Sequence, residues 1–415
     1  MADPSNTWPA TRHSAHGAVV FGTHDAKTLE QFHAIEQHAQ RAALMADGHA
    51  GYSMPIGGVA AYHDAVSVTG VGFDIACGNA AVRTDARLED FSSAQLQQVA
   101  NDIQRSISFG VGRDNRHDDP ALTGHPLFSD PAWDAYPQAA NAAELKQMAR
   151  AQLGTVGSGN HYVDVFADET GQLWVGVHFG SRGLGHRTAS GFLALAQKRR
   201  WGDRVPEHEA ILPLSSPLGD AYWNLMNLAG RYAYAGREWV ARKVVSILGA
   251  QEMELVHNHH NFAWKEVHEG DELVVVRKGA TPAFPGQQGF VGGSMGDNAV
   301  ILAGNATETA RAALFSTVHG AGRVMSRTQA RGKLRGWGPK ARVVAPGLIS
   351  PEMMRAWLDE KGVILRGGGL DEAPQAYRRL PDVLAAQGDT ITVQHELRPL
   401  IVVMAGAEEF DPYKD

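Results

Sequence analysis

Between Asp47 and Arg327 the reactive residues of this chain fall in short glycine-rich blocks, and no low-complexity linker separates the blocks. Each block interrupts regular structure with glycine or proline and is flanked by segments of helix or strand periodicity. That arrangement favours one domain, residues 1–415, because histidines scattered from His161 to His319 can act together only if the elements between them fold back on one another. A chain of 415 residues is long enough to bury the core this requires.

The spacing of apolar residues predicts helices over Lys27–Ala46, Ser92–Ile107, Ala139–Leu153, Asp220–Leu248 and Ser350–Lys361. In the longest of these, Leu225, Leu228, Tyr232, Ala235 and Trp239 lie three or four apart, and Val240, Val244 and Ile247 continue one position round, so this face is core. Strand-like runs are Ala65–Val71, Tyr162–Phe166, Leu173–Val177, Glu272–Val276, Ala341–Val344, Thr390–Leu397 and Leu400–Met404. Asp47–Val59 reads as irregular, Gly112–Ala135 as a surface loop rich in Asp, His and Pro, and Met1–Gly17 as a flexible start.

Composition removes several classes of function. With 44% hydrophobic and 20% charged residues, and no apolar run near the roughly 18 residues of a membrane span, a membrane segment is not expected. The polar N-terminus lacks the pattern of a secretory signal, and a single cysteine, Cys77, excludes an internal disulfide framework, so a cytoplasmic protein is expected. A net charge of −7 argues against nonspecific coating of nucleic acid. Yet Thr309–Pro351 contains no acidic residue and holds Arg311, Arg323, Arg327, Arg331, Lys333, Arg335, Lys340 and Arg342, a block that reads either as a solvated surface or as a track for a polyanion.

The densest chemistry lies in Val318–Arg327, VHGAGRVMSR. His319 stands between small residues that let a ligand approach its imidazole, and Arg323 and Arg327, four and eight positions on, could share its face on a following helical turn, an arrangement suited to phosphate. A lone histidine is more often a packed side chain, so corroboration must come from elsewhere. Asp74 and Cys77 are three apart and could meet one cation, with zinc, manganese and iron all open. His161 ends the glycine loop LGTVGSGNH, His178 ends a strand and is followed four residues later by Arg182, and His257, His259 and His260 crowd into four positions, of which one or two would be used.

Taken in order, DGHAGYSMPIGGVAA, GFDIACGNAAVRT, LGTVGSGNHYVDV, HFGSRGLGH, HHNFAWKE, RKGATPAFPG, GSMG and VHGAGRVMSR resemble the signature blocks of the RtcB family of RNA-splicing ligases, over nearly the whole chain. The resemblance implies an α+β fold, a single large domain whose β-rich core of packed mixed and antiparallel sheets is surrounded by helices. It implies an enzyme dependent on GTP and two Mn(2+) ions that joins RNA ends bearing a 2′,3′-cyclic phosphate or 3′-phosphate to 5′-hydroxyl ends, in tRNA splicing or RNA repair, with an archease-like factor as an implied accessory. By the same resemblance Asp74, Cys77 and His161 look like ligands of one manganese, and Cys77, His178 and His260 like ligands of the second. His319 looks like the nucleophile that takes GMP covalently, while Asn160, Arg182, Arg323 and Arg327 match phosphate-contacting positions and Asp164, Asn261, Ser294 and Tyr377 match positions around the guanosine.

Departures from the family pattern fall on the base pocket. Asp164 stands where glutamate is usual, Asp297-Asn298-Ala299 replaces Thr-Ala-Ser, and Met404-Ala405 replaces a terminal Lys-Gly, with Gly406 beginning an extra tail. A divergent paralogue with relaxed base preference is therefore expected. The alternatives are a nucleotide-independent, manganese-dependent 2′,3′-cyclic phosphodiesterase and an inactive RNA-end-binding paralogue.

Overall fold

The computed structural model describes residues 11–14, 17–336, 342–407 and 409. Most of the expected flexible start at Met1–Gly17, together with Lys340 and Ala341, therefore lies outside the described residues.

Two large sheets form the centre. One has six strands in the order Thr11–His13, Val19–Phe21, Arg41–His49, Ile56–Tyr62, Asp271–Lys278 and Asn261–His268. The other runs Glu252–His259, Gly78–Arg87, Gln172–Phe179, Tyr162–Ala167, Ile391–Gly406, Ala299–Gly304 and Gln288–Val291, with Ile364–Gly368 also paired to Ile391–Gly406. Pairing is antiparallel apart from Val19–Phe21 on Arg41–His49 and Ile364–Gly368 on Ile391–Gly406, so the sheets are mixed and the fold is α+β.

Helices cover the sheets, and the long one, Pro217–Ile247, was legible from its periodicity. Ser216 caps its first turn by accepting from Gly219 N, with Pro217 at the first helical position, where no partner for its missing N–H is needed. Its Val240, Ala241 and Val244 pack on Ala80, Val82, Val175 and Val177 of the second sheet, while Leu225, Leu228 and Tyr232 join a second cluster with Phe192 and Phe262. Burying each large apolar side chain stabilises the fold by about 1.5–3 kcal/mol.

Four sequence expectations need correction. The predicted helix Lys27–Ala46 stops at Glu36, and Arg41–His49 is a strand. Ala42 to Ala46 is buried on both faces, between neighbouring strands and inside two apolar clusters, and a doubly buried strand carries no alternation to distinguish it from a helix segment. Gly112–Ala135 is not simply a surface loop: it forms short helical turns at Pro120–Thr123, Pro126–Ser129 and Pro131–Ala135, and it buries Leu122, Leu127, Phe128 and Trp133 against the main core. Its Asp and Pro residues are capping chemistry, Asp119 and Asp130 accepting from the backbone ahead of a proline at each turn. Likewise Ala65–Val71 is a strand only to Ser67 and then a single helical turn, and the last two predicted strands are one, Ile391–Gly406.

Candidate active site

The second sheet delivers the predicted metal ligands. His178 sits near the end of Gln172–Phe179, and its Nδ1–H donates to Asn79 Oδ1 at 2.6 Å. That bond fixes the tautomer and leaves Nε2 to face Cys77 Sγ at 3.5 Å. His161 places Nε2 3.6 Å from the same Sγ and 3.1 Å from Asp74 Oδ2. Glycine is required for this approach: a Cβ on Gly157 would run into the His161 ring and the Arg182 guanidinium, and one on Gly180 into the Asp74 carboxylate.

The turn that brings Asp74 and Cys77 together is strained. Ala76 has φ +61°, in the left-handed region that costs a non-glycine residue about 1–2 kcal/mol. Asn261 O accepts from its N–H, and Arg237 Nη1 donates to its carbonyl at 2.9 Å. Arg237 is wholly buried, donating as well to Phe179 O, His257 Nε2 and His259 Nδ1. Two of the three clustered histidines therefore serve this arginine, and only His260 enters the cavity, its ring centre 5.0 Å from that of His178 and 4.8 Å from that of His319. Arg237→Ala would leave two carbonyls and two imidazoles unpaired around a void. It is expected to destabilise the protein by about 3–5 kcal/mol, read as a fall in the denaturant midpoint.

His319 belongs to the strand end after Ser316–Val318, and its Nδ1 lies 2.6 Å from Asp47 Oδ2. The same oxygen accepts from the backbone N–H of His319 and Gly320. Burial opposes ionisation of Asp47, but the His319 ring and these hydrogen bonds outweigh it and hold the carboxyl below the usual carboxylate range. A carboxylate on Nδ1 directs the lone pair of a neutral ring to Nε2. The expected helical turn after His319 does not form: Gly322 has φ +74°, and helix begins only at Arg327 behind the cap Ser326. Arg323 and Arg327 still converge, both pairing with Glu372, and Arg327 also with Asp371 at 3.2 Å.

One cavity of about 280 Å³ unites Asp74, Cys77, Asn160, His161, Asp164, His178, His260, Asn261, Ser294, His319, Arg323, Arg327 and Tyr377. Arg182 is the exception: it lines an adjoining cavity, with φ +56° and its Nη2 donating to Gly110 O. The main cavity is also lined by Met295, Val402 and Met404 together with Asp164, whose Oδ1 has no partner and whose pKa burial pushes well up. Ser294 donates to Asp297, and Asn261 is tied to the backbone at Asp74 and Gly279.

A cation fits the donor set. The ligand atoms of Cys77, His161 and His178 lie within 4.8 Å of one another. Burial, then the Asp74 charge, raises the Cys77 pKa well above that of a free thiol, while burial and neighbouring positive groups keep His178 and His260 neutral. Neutral imidazoles with free lone pairs, a carboxylate and a thiol that ionises only beside a positive charge are the components of a metal site.

Sequence reading assigned no role to Asp47, His49, Asn79, Arg237, Asp371 or Glu372. Arg237 had a signal, a charge set one turn before Val240 on the apolar face of the long helix. Asn79 follows Cys77-Gly78 directly, and Asp47 and His49 share a glycine block, but nothing in spacing joins Asp47 to a histidine 272 residues away.

A family model described as "tRNA-splicing ligase RtcB" matches residues 28–405. This chain belongs to the RtcB family. Among RtcB relatives, the RNA-splicing ligase RtcB of Escherichia coli K12 is 32% identical over 388 residues, covering 87% of this chain and 89% of the relative. The tRNA-splicing ligases RtcB of Thermococcus kodakarensis and Archaeoglobus fulgidus are each 32% identical, over 86% and 85% of this chain and 87% and 86% of the relatives. The RtcB match includes every residue that lines the cavity. Among the described residues, no helix is long and apolar enough to cross a membrane.

Proposed function

We propose that this RtcB protein is an RNA ligase that joins 3′-phosphate or 2′,3′-cyclic-phosphate ends to 5′-hydroxyl ends through a nucleotide carried on His319. The observation that carries the reading is the placing of His319 Nε2, freed by Asp47 on Nδ1, in one cavity with the Asp74, Cys77, His161, His178 and His260 donors. Asp74, Cys77 and His161 would hold one Mn(2+), and Cys77, His178 and His260 a second; such ions, when bound, neutralise phosphate charge and align an in-line displacement.

His319 Nε2 attacks the α-phosphorus of GTP, forming a P–N bond as the P–O bond to pyrophosphate breaks. Asp47 stabilises the positive charge the ring then acquires. Transfer of the guanylate to an RNA 3′-phosphate makes a pyrophosphate linkage with GMP as leaving group, which the 5′-hydroxyl of the second strand displaces; a cyclic phosphate must first be opened by water. Arg323 and Arg327 bring forked donors to the phosphates, their present partners Asp371 and Glu372 holding both guanidinium groups on the cavity wall until phosphate competes for them. The apolar walls and shortened carboxylate at Asp164 predict weaker discrimination between bases than a pocket with a lysine would give.

The test is joining of an RNA pair bearing a cyclic phosphate and a 5′-hydroxyl, with manganese, with and without GTP. Nucleotide-dependent joined product is expected; opening of the cyclic phosphate without nucleotide and without joining would favour a phosphodiesterase instead.

Asp47→Asn provides a narrower test. The two backbone N–H groups on Oδ2 hold an amide oxygen, not its NH2, against Nδ1, so the ring keeps its orientation but loses the charge that stabilises it once phosphorylated, and nucleotide transfer to His319 should slow by on the order of 10²-fold. The ionised Asp47 contributes stability above the unfolded carboxylate pKa, and that contribution is lost as pH falls through the lower folded value. The stability difference between wild type and Asp47→Asn should therefore shrink in acid, measured by denaturation at a series of pH values.

A further inference from the structure

Beside the main cavity lies a second one of about 430 Å³, within the size range of small-molecule sites, and the two share Ile56, Asp74, Asn160, His161, Asn261 and Arg327 as walls. His319, Cys77, His178 and His260 are absent from its lining, so it flanks the site on the Asp74 and His161 side, away from the residue that would carry the nucleotide.

Its walls combine two kinds of group. Tyr52, Phe73 and His186 form a chain of rings: Tyr52 meets Phe73 edge to face with centres 5.8 Å apart, and Phe73 lies 5.6 Å from His186 at an interplanar angle of 33°. Tyr52 is 44% exposed, unusual for so large a ring, although its loop is anchored by Gln31, which donates to the carbonyls of Gly51 and Tyr52. Phe73 and His186 are half-buried. Around the rings stand Arg182, Arg187, Arg327 and Lys278, the last with Nζ 5.5 Å from the Tyr52 ring centre, set against the carboxylates Asp74 and Glu207. An exposed aromatic on a fixed loop, in one cavity with several guanidinium groups, is the combination that receives a nucleobase on the ring and its phosphate on the cations. Phe73 precedes Asp74 in the chain, so a base on this shelf would place its phosphate beside the main cavity.

We propose that Tyr52, Phe73 and His186 form a stacking shelf for the unpaired nucleotide at an RNA end next to the junction being sealed, with Arg182 and Arg187 on its phosphate. This rests on the ligase reading and adds the place where one strand enters. The shelf takes any base, since stacking has little sequence preference, and it explains why Arg182 lies apart from the other predicted phosphate-contacting residues.

The probe is a short RNA with 2-aminopurine as its terminal unpaired nucleotide, at a 5′-hydroxyl end in one arm and at a 3′-phosphate end in the other. Stacking should quench the fluorophore in one arm, identifying the strand held. Tyr52→Ala should weaken that binding by roughly five- to a hundredfold, and Tyr52→Phe should restore it. Quenching in neither arm, or an undiminished response in Tyr52→Ala, would overturn the shelf. Formation of the His319 adduct, measured in the same wild-type preparation, separates the two claims: adduct without quenching overturns the shelf alone, whereas neither adduct nor quenching overturns the ligase reading with it.

Discussion

Replacing His319 by alanine should lower RNA joining by at least about 10³-fold while leaving the fold intact. The other imidazoles of the cavity cannot substitute: His161 and His178 face the Cys77 thiol, His260 lies beside them, and His49 is tied through Nδ1 to the Asp47 carbonyl at 3.0 Å. Some stability should be lost, because the buried Asp47 carboxylate loses the ring that does most to hold it ionised, but the fold should survive, since the backbone N–H groups of residues 319 and 320 still donate to that carboxylate. A cooperative unfolding transition, at a somewhat lowered midpoint, beside lost joined product on a gel is the predicted pair of results. Substantial joining by His319→Ala would remove the nucleophile from the account.

Cys77→Ser should abolish joining by removing metal. Cys77 is the only thiol in the chain and lies within 3.6 Å of His161 and 3.5 Å of His178, so it is placed to serve both proposed ions at once. A serine hydroxyl in that buried position, beside the Asp74 carboxylate, would stay protonated and bind a cation far more weakly. Metal per chain, measured by elemental analysis after manganese loading and desalting, should fall to near background, with joining down by more than about 10²-fold. Full metal retention in Cys77→Ser would place the cation elsewhere.

Much of this was legible before any coordinates. Pro217–Ile247 was visible because a helix packed on one side writes its period into the sequence. The cavity residues were visible because glycine must surround them: Gly157 and Gly180 admit His161 and Asp74 at distances no side chain would allow. Arg41–His49 was misread because a strand of small residues buried on both faces has no period. The turns of Pro120–Ala135 were misread because capping residues and loop residues are the same residues. Asp47 and Glu372 were missed for another reason: each acts on a partner far away in the chain, and such pairing exists only once the sheets have assembled. The basic block shows both limits, since Arg323, Arg327 and Arg331 turn in to Asp371 and Glu372 while Lys333, Arg335 and Arg342 lie exposed on the hairpin strands Gly332–Arg335 and Arg342–Pro346.

The central claim is that His319 carries a nucleotide. Incubating the protein with manganese and each of the four ribonucleoside triphosphates, labelled at the α-phosphate, tests it most directly. An acid-labile, base-stable label that maps to His319, strongest or shared with GTP, is the predicted result; absence of protein-bound label with all four nucleotides would contradict it.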